Sequence, residues 1–166
     1  MTITIDRPKR TPATRAKGSL GFDQFQTAYV TNDFDCAIQV FTSRYGVDEW
    51  TIMEPGSGMK IGIAWTGGQQ IELIDASGTV LSIYNDWLTG KGFQIRHHHF
   101  GYYVYSDEEW ARVEQVLASE GRAAAFEGDG GIVQFKYVFA PELGHYLEYI
   151  YPNEQGKAFF EAAASN

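Results

Sequence analysis

With one cysteine, Cys36, in 166 residues, the chain has no internal disulfide framework and no cluster of thiolates for zinc. Cys36 falls in a helical stretch and reads as a small packed side chain. No run approaches the ~20 consecutive apolar residues of a membrane span. The first 17 residues also lack the apolar core of a secretory signal. A cytoplasmic protein that does not enter the membrane is therefore expected. Basic residues are scarce beyond the N-terminus. Arg7, Lys9, Arg10, Arg15 and Lys17 stand against Asp6 alone before residue 20, which leaves that stretch near +4 and the rest of the chain near −12 of a total of −8. An acidic body repels a phosphate backbone and argues against nucleic acid as a partner. The basic stretch, with Pro8, Pro12 and Gly18, reads as a mobile tail over residues 1–20.

What is present is enough apolar residue, 44% of the chain, to build the core of one ordinary domain. After Leu20 the order of signals repeats. Residues 25–30 are strand-like and run into Asn32-Asp33, a helix N-cap signal. Ala37, Ile38, Phe41 and Tyr45 then form an apolar stripe that Gly46 ends. Three short strands fit residues 50–53, 59–65 and 70–74, punctuated by Pro55-Gly56, Gly58 and Gly67-Gly68. The second half gives a strand at 98–105, a helix opened by Ser106-Asp107 with Trp110, Val113, Val116 and Leu117 on one face, and strands at 123–126, 133–139 and 145–151. The chain thus reads as α+β, two βαβββ modules at 21–85 and 95–152, followed by a helix within 153–166 expected to pack on the outside.

Each half carries a polar side chain on its first strand and a glutamate on its last. Gln26 precedes Glu72 by 46 residues, and His99 precedes Glu148 by 49. Glu72 lies within Ile71-Glu72-Leu73-Ile74 and Glu148 within Leu147-Glu148-Tyr149-Ile150, single carboxylates among apolar neighbours. Strand alternation puts Ala28 and Val30 on the face of Gln26, and Gly101 and Tyr103 on the face of His99. In the run His97-His98-His99 a regular strand turns His98 away and leaves His97 on the face of His99, as the alternative if the register slips by two. Glu54 offers a further acid/base, although a solvent-facing strand glutamate is the preferred reading.

These motifs resemble the vicinal-oxygen-chelate superfamily, which includes glyoxalase I, methylmalonyl-CoA epimerase, extradiol dioxygenases and bleomycin-resistance proteins. The resemblance spans about residues 25–151 and rests on Gln26 before Asp33, the strand around Glu72, His99-Phe100-Gly101-Tyr102-Tyr103-Val104 leading to Asp107, and the Ala140-to-Glu148 segment. The linker from Ser82 to Leu88 looks most like the methylmalonyl-CoA epimerase branch. The resemblance implies a curved, partly open mixed sheet around a cavity holding a divalent ion (Zn, Ni, Co, Mn, Mg or Fe(II)) on Gln26, Glu72, His99 and Glu148. An imidazole nitrogen, an amide oxygen and two carboxylates suit such a cation. Without one, two carboxylates buried near each other carry a desolvation cost.

The resemblance further implies Glu148 and Glu72 as acid/base residues and an isomerase, epimerase or lyase that acts through a metal-stabilised enolate. Its substrate would be a small carbonyl compound or acyl thioester. Ala28, Val30, Gly101 and Tyr103 are expected to line an apolar substrate pocket. Val30 and Ala76 stand where the glutathione-type glyoxalase carries an arginine and an asparagine, which disfavours glutathione. Two alternatives stay open: a non-catalytic aromatic-ligand binder of the bleomycin-resistance type, and an iron(II) ring-cleaving dioxygenase, which the single imidazole of the set disfavours. A homodimer is expected, because the open sheet edges call for cover.

Overall fold

Two repeats lie side by side in one sheet in this computed structural model, which describes residues 21–56 and 58–166. The expected basic tail at 1–20 lies outside the described residues. The first repeat is β1 (Asp23–Thr31), α1 (Phe34–Tyr45), β2 (Thr51–Gly56), β3 (Met59–Thr66) and β4 (Gln69–Asp75). A connecting segment with one short helix, α2 (Ser82–Asn85), leads to the second repeat. That repeat is β5 (Ile95–Tyr103), α3 (Asp107–Ser119), β6 (Phe126–Asp129), β7 (Val133–Ala140) and β8 (His145–Pro152), with α4 (Glu154–Ala162) after it. The strand order is β2-β3-β4-β1-β5-β8-β7-β6, a curled half-barrel of eight strands. Each first strand runs parallel to its own last strand, and β1 and β5 meet antiparallel at the centre. The α+β reading with two βαβββ units is therefore the fold observed.

Local chemistry sets the helix ends. The Asp33 carboxylate accepts from the Cys36 N–H at 3.0 Å, and Gly46 closes α1 at φ 67°, a left-handed conformation that glycine adopts without Cβ strain. Ser106 caps α3 by accepting from the Glu109 N–H at 3.2 Å, and three acids in its first turn face the positive end of the helix dipole. Both helices cover the convex side. Phe34, Ala37 and Phe41 of α1 pack with Ala64 and Leu73, while Val113 and Leu117 of α3 pack with Tyr102, Val138, Leu147 and Tyr149.

The concave side is closed at both ends by the chain itself. Toward one end Phe160 and Ala163 pack on Phe25, Ile63 and Ile150, and the Trp65 indole donates to the Phe160 carbonyl at 2.8 Å. The terminal residues continue the docking: Ser165 bridges to Trp65, and the Asn166 side chain accepts from the N–H groups of Asp48 and Glu49. The final helix thus packs inside the curve, which corrects the expectation that it lies outside. Its aromatic face removes more apolar area from water there than on the convex side, where α1 and α3 already cover the sheet. Toward the other end the connecting segment lays Leu81, Ile83, Tyr84, Trp87 and Leu88 over Val30, Ile74 and Ala76. Among the described residues no helix is long and apolar enough to cross a membrane.

Candidate metal centre

Between these two plugs, four strands deliver four polar side chains to one point. The pairings Ala28↔Glu72, Ala28↔His99, Gln26↔Gly101 and Gly101↔Glu148 place Gln26, Glu72, His99 and Glu148 in adjacent rows around the β1–β5 seam. His99 Nε2 stands 2.9 Å from Glu148 Oε2, 3.2 Å from Glu72 Oε2 and 3.3 Å from Gln26 Oε1. The donor atoms of Glu72, His99 and Glu148 all lie within 4.8 Å of one another. The His99 side chain is fully buried, whereas those of Glu72 and Glu148 keep 12% and 9% of their exposure, so solvent reaches the cluster from the carboxylate side.

Two β-bulges make this convergence. One lies between Gln24 and Gln26, where the extra residue Phe25 turns inward onto Phe160 and Tyr103. The other lies in β5, where Ala28 pairs with His99 and the next residue, Tyr29, pairs with His97, which leaves His98 as the extra residue. That bulge overturns the regular-strand expectation. His98 is buried on the side of His99, with their Nδ1 atoms 2.8 Å apart. His97 packs instead against Tyr29, Phe100 and His145.

Gln26 is held in turn. Its Nε2 donates to Gln70 Oε1 at 2.7 Å, which presents its own oxygen to His99. Gly101 makes room for it, since a Cβ there would stand 2.6 Å from Gln26 Oε1 and 2.9 Å from Gln26 Cβ. Gln70, buried beside the set, had no place in the sequence reading. Its position two residues before Glu72 on a strand, hence on the same face, was the signal available.

The electrostatics are those of a site built around positive charge. Burial pushes the Glu72 carboxyl above its ordinary range; His99 opposes that rise and Glu148 adds to it. Burial also disfavours the charged form of His99, but the carboxylates of Glu148 and Glu72 outweigh it and raise the imidazole to about 9. His98, buried and beside His99, is lowered to about 3 and is neutral. Tyr137, edge-on to His99 at 4.9 Å, is raised well above its ordinary value by burial and then by Glu148.

A divalent cation fits this arrangement. Donors held ~2.0–2.2 Å from one ion lie ~2.8–3.1 Å apart along an octahedral edge and ~3.3–3.6 Å apart along a tetrahedral one. The three distances from His99 Nε2 fall in or beside these ranges. Glu72 Oε2 is buried and ion-paired with His99 Nε2 at 3.2 Å but makes no well-formed hydrogen bond, so a cation would satisfy an acceptor that the protein alone satisfies weakly.

The residues expected to line a pocket are placed differently from one another. Ala28 is fully buried between Glu72 and His99 in the sheet, Val30 lies under the connecting segment, and Gly101 yields its space to Gln26. Tyr103 packs edge-on to Phe25 and tilted against Tyr105 by the C-terminal helix. The chain's own segments fill the apolar surface at Val30 and Tyr103. Glu54 is exposed on β2, as read from the sequence.

No protein family and no curated protein matches this sequence. Solved structures do match its fold. A methylmalonyl-CoA epimerase from Mycobacterium tuberculosis aligns over 90% of this chain and 97% of its own, at 16% identity and a TM-score of 0.62. A methylmalonyl-CoA epimerase in complex with methylmalonyl-CoA and NH4+ aligns over 80% of this chain and 96% of its own, at 12% identity and 0.60. A hypothetical protein from Bacillus halodurans aligns over 80% and 96%, at 16% identity and 0.62.

Proposed function

From the shared fold, that of the vicinal-oxygen-chelate proteins, and from the donor set gathered on it, we propose that the chain is a metal-dependent isomerase, epimerase or lyase. Its substrate would be a small carbonyl compound or acyl thioester, from which it removes a proton next to the carbonyl. The observation that carries this reading is the convergence of Gln26, Glu72, His99 and Glu148 on one buried point, where two carboxylates share a single imidazole. The same four residues would hold the ion. When bound, it supplies Lewis acidity to a carbonyl oxygen, which makes the adjacent C–H acidic enough for a carboxylate to act on. The likeness to two epimerases of a coenzyme A thioester supports the acyl-thioester choice.

The chain's own residues supply the rest. Glu148, buried but for a small solvent-facing edge and ion-paired to His99, takes the proton from the carbon. Glu72, whose proton affinity burial raises, returns a proton to the opposite face of that carbon or to a neighbouring atom, and loss of the Glu148 proton to solvent with uptake of one by Glu72 restores the starting enzyme. The aromatic rings of Tyr84 and Tyr137 beside the cluster exclude bulk water and strengthen these electrostatic interactions. The sheet ends at strands β2 and β6, whose open edges support a homodimer.

The deciding experiment pairs metal analysis of the untagged protein with solvent deuterium incorporation into methylmalonyl-CoA and small α-hydroxy and α-keto carbonyl compounds. Bound metal with exchange, reduced about 10²–10⁴-fold in Glu148→Gln, is the expected outcome. A protein that retains no divalent ion yet binds an aromatic ligand belongs instead with the non-catalytic binders.

A further inference from the structure

We infer that His98, the bulged residue beside the cluster, is a positioning residue that fixes which nitrogen of His99 carries the proton and so leaves Nε2 as the donor atom. The inference rests on the proposed metal site and adds to it a residue outside the set of four. His98 Nε2 lies 3.0 Å from the carbonyl of Ile83, and His98 Nδ1 lies 2.8 Å from His99 Nδ1.

The direction of each hydrogen bond follows from what each partner is able to do. A carbonyl oxygen only accepts, so His98 Nε2–H donates to Ile83. One proton occupies the 2.8 Å contact between the two Nδ1 atoms, and since aromatic rings surround His98 while the carboxylates stand at His99, His98 is the neutral ring whose bare Nδ1 accepts. His99 Nδ1–H must therefore donate to it and keeps its proton, while His99 Nε2, whose proton a metal would displace, faces Glu72, Glu148 and Gln26. In water a neutral imidazole favours the other tautomer, with the proton on Nε2, and that form blocks ligation. A buried acceptor at Nδ1 reverses the preference.

The geometry around His98 is built to hold it. Its ring is boxed by Tyr84 at 5.2 Å, Trp87 at 5.2 Å, Tyr146 at 4.9 Å and Tyr137 at 5.8 Å. Its anchor, Ile83, lies in α2 of the segment that joins the two repeats. The contact depends on the bulge, since a regular strand would have put His98 on the opposite face, away from both partners.

The test uses the full-length protein, zinc as the probe, and nitrogen-15 NMR of the histidine rings. In the metal-free protein His98 is expected to be protonated at Nε2 and bare at Nδ1, with a scalar coupling between the two Nδ1 nitrogens across the hydrogen bond. His98→Phe keeps the bulk and removes the acceptor, and should weaken zinc binding about 10–100-fold. His98→Asn offers an amide oxygen to His99 Nδ1–H and should recover most of that loss, which a merely space-filling role would not predict. Proton on His98 Nδ1, or zinc binding by His98→Phe equal to wild type, overturns the inference. A wild-type protein that binds no zinc sinks the proposed metal site, while the ring tautomers still decide the role of His98.

Discussion

Replacing Gly101 with alanine tests the packing of the centre more sharply than removing a ligand would. The added Cβ would stand 2.6 Å from Gln26 Oε1 and 2.9 Å from Gln26 Cβ, well inside van der Waals contact, and both groups are buried in the sheet. Overpacking of this kind costs about 1–3 kcal/mol. Displacing the amide also loses the 2.7 Å hydrogen bond to Gln70, about 1 kcal/mol. Exchanging glycine for alanine in a strand returns about 0.5–1 kcal/mol of backbone entropy. The net expectation is a loss of about 2 kcal/mol, or about 4–8 °C in Tm for a chain of this size. Zinc affinity should fall about tenfold as the Gln26 oxygen leaves its place, equivalent to about 1.4 kcal/mol. Urea unfolding and zinc titration measure the two effects, and the stability loss should shrink in a Gln26→Ala background, where the clash with the amide is gone. Gly101→Ala as stable as wild type with unchanged zinc affinity would refute the claim that the missing side chain makes room for a ligand.

Two further outcomes follow from the same structure. In the metal-free protein His99 is held at about 9 against an ordinary 6.5, so its contribution, on the order of 3 kcal/mol, is fully present below pH ~6.5 and is lost as pH rises through about 9. Glu72, also raised, acts in the same sense at lower pH. Urea midpoints in EDTA should therefore fall between pH 6 and pH 10, and a flat or rising profile contradicts the ion-paired cluster. Phe160→Ala should cost about 3 kcal/mol by opening a cavity over Phe25, Ile63 and Ile150, measured by urea unfolding, and a loss under 1 kcal/mol would mean that the last helix is not docked inside the curve.

Much of the architecture is legible in the residues because capping and alternation are local. Asp33, Gly46 and Ser106 mark helix ends by hydrogen bonds within a few residues, and the apolar stripes of both helices identify the faces that meet the sheet. The repeat then predicts the central sheet. The two bulges are not legible, since three histidines in a row alternate nothing, and one extra residue in β5 reverses which of them share a face. Strand β6 starts at Phe126 rather than at the alanines before it, which have little strand preference. The helix after Asn153 was readable as a helix, but the side it covers depends on contacts with Phe25, Ile63 and Trp65, about a hundred residues away or more.

The seam between β1 and β5 carries a further implication. Gln26 and Glu72 belong to the first βαβββ unit, His99 and Glu148 to the second, and the carbonyl that anchors His98 sits in the stretch joining them. Each copy is thus a unit of architecture but not of chemistry. A gene for half of this chain would encode an amide and one acid, or an imidazole and one acid, and neither pair encloses anything. Only fusion, or the pairing of two halves, creates a function on which selection could act.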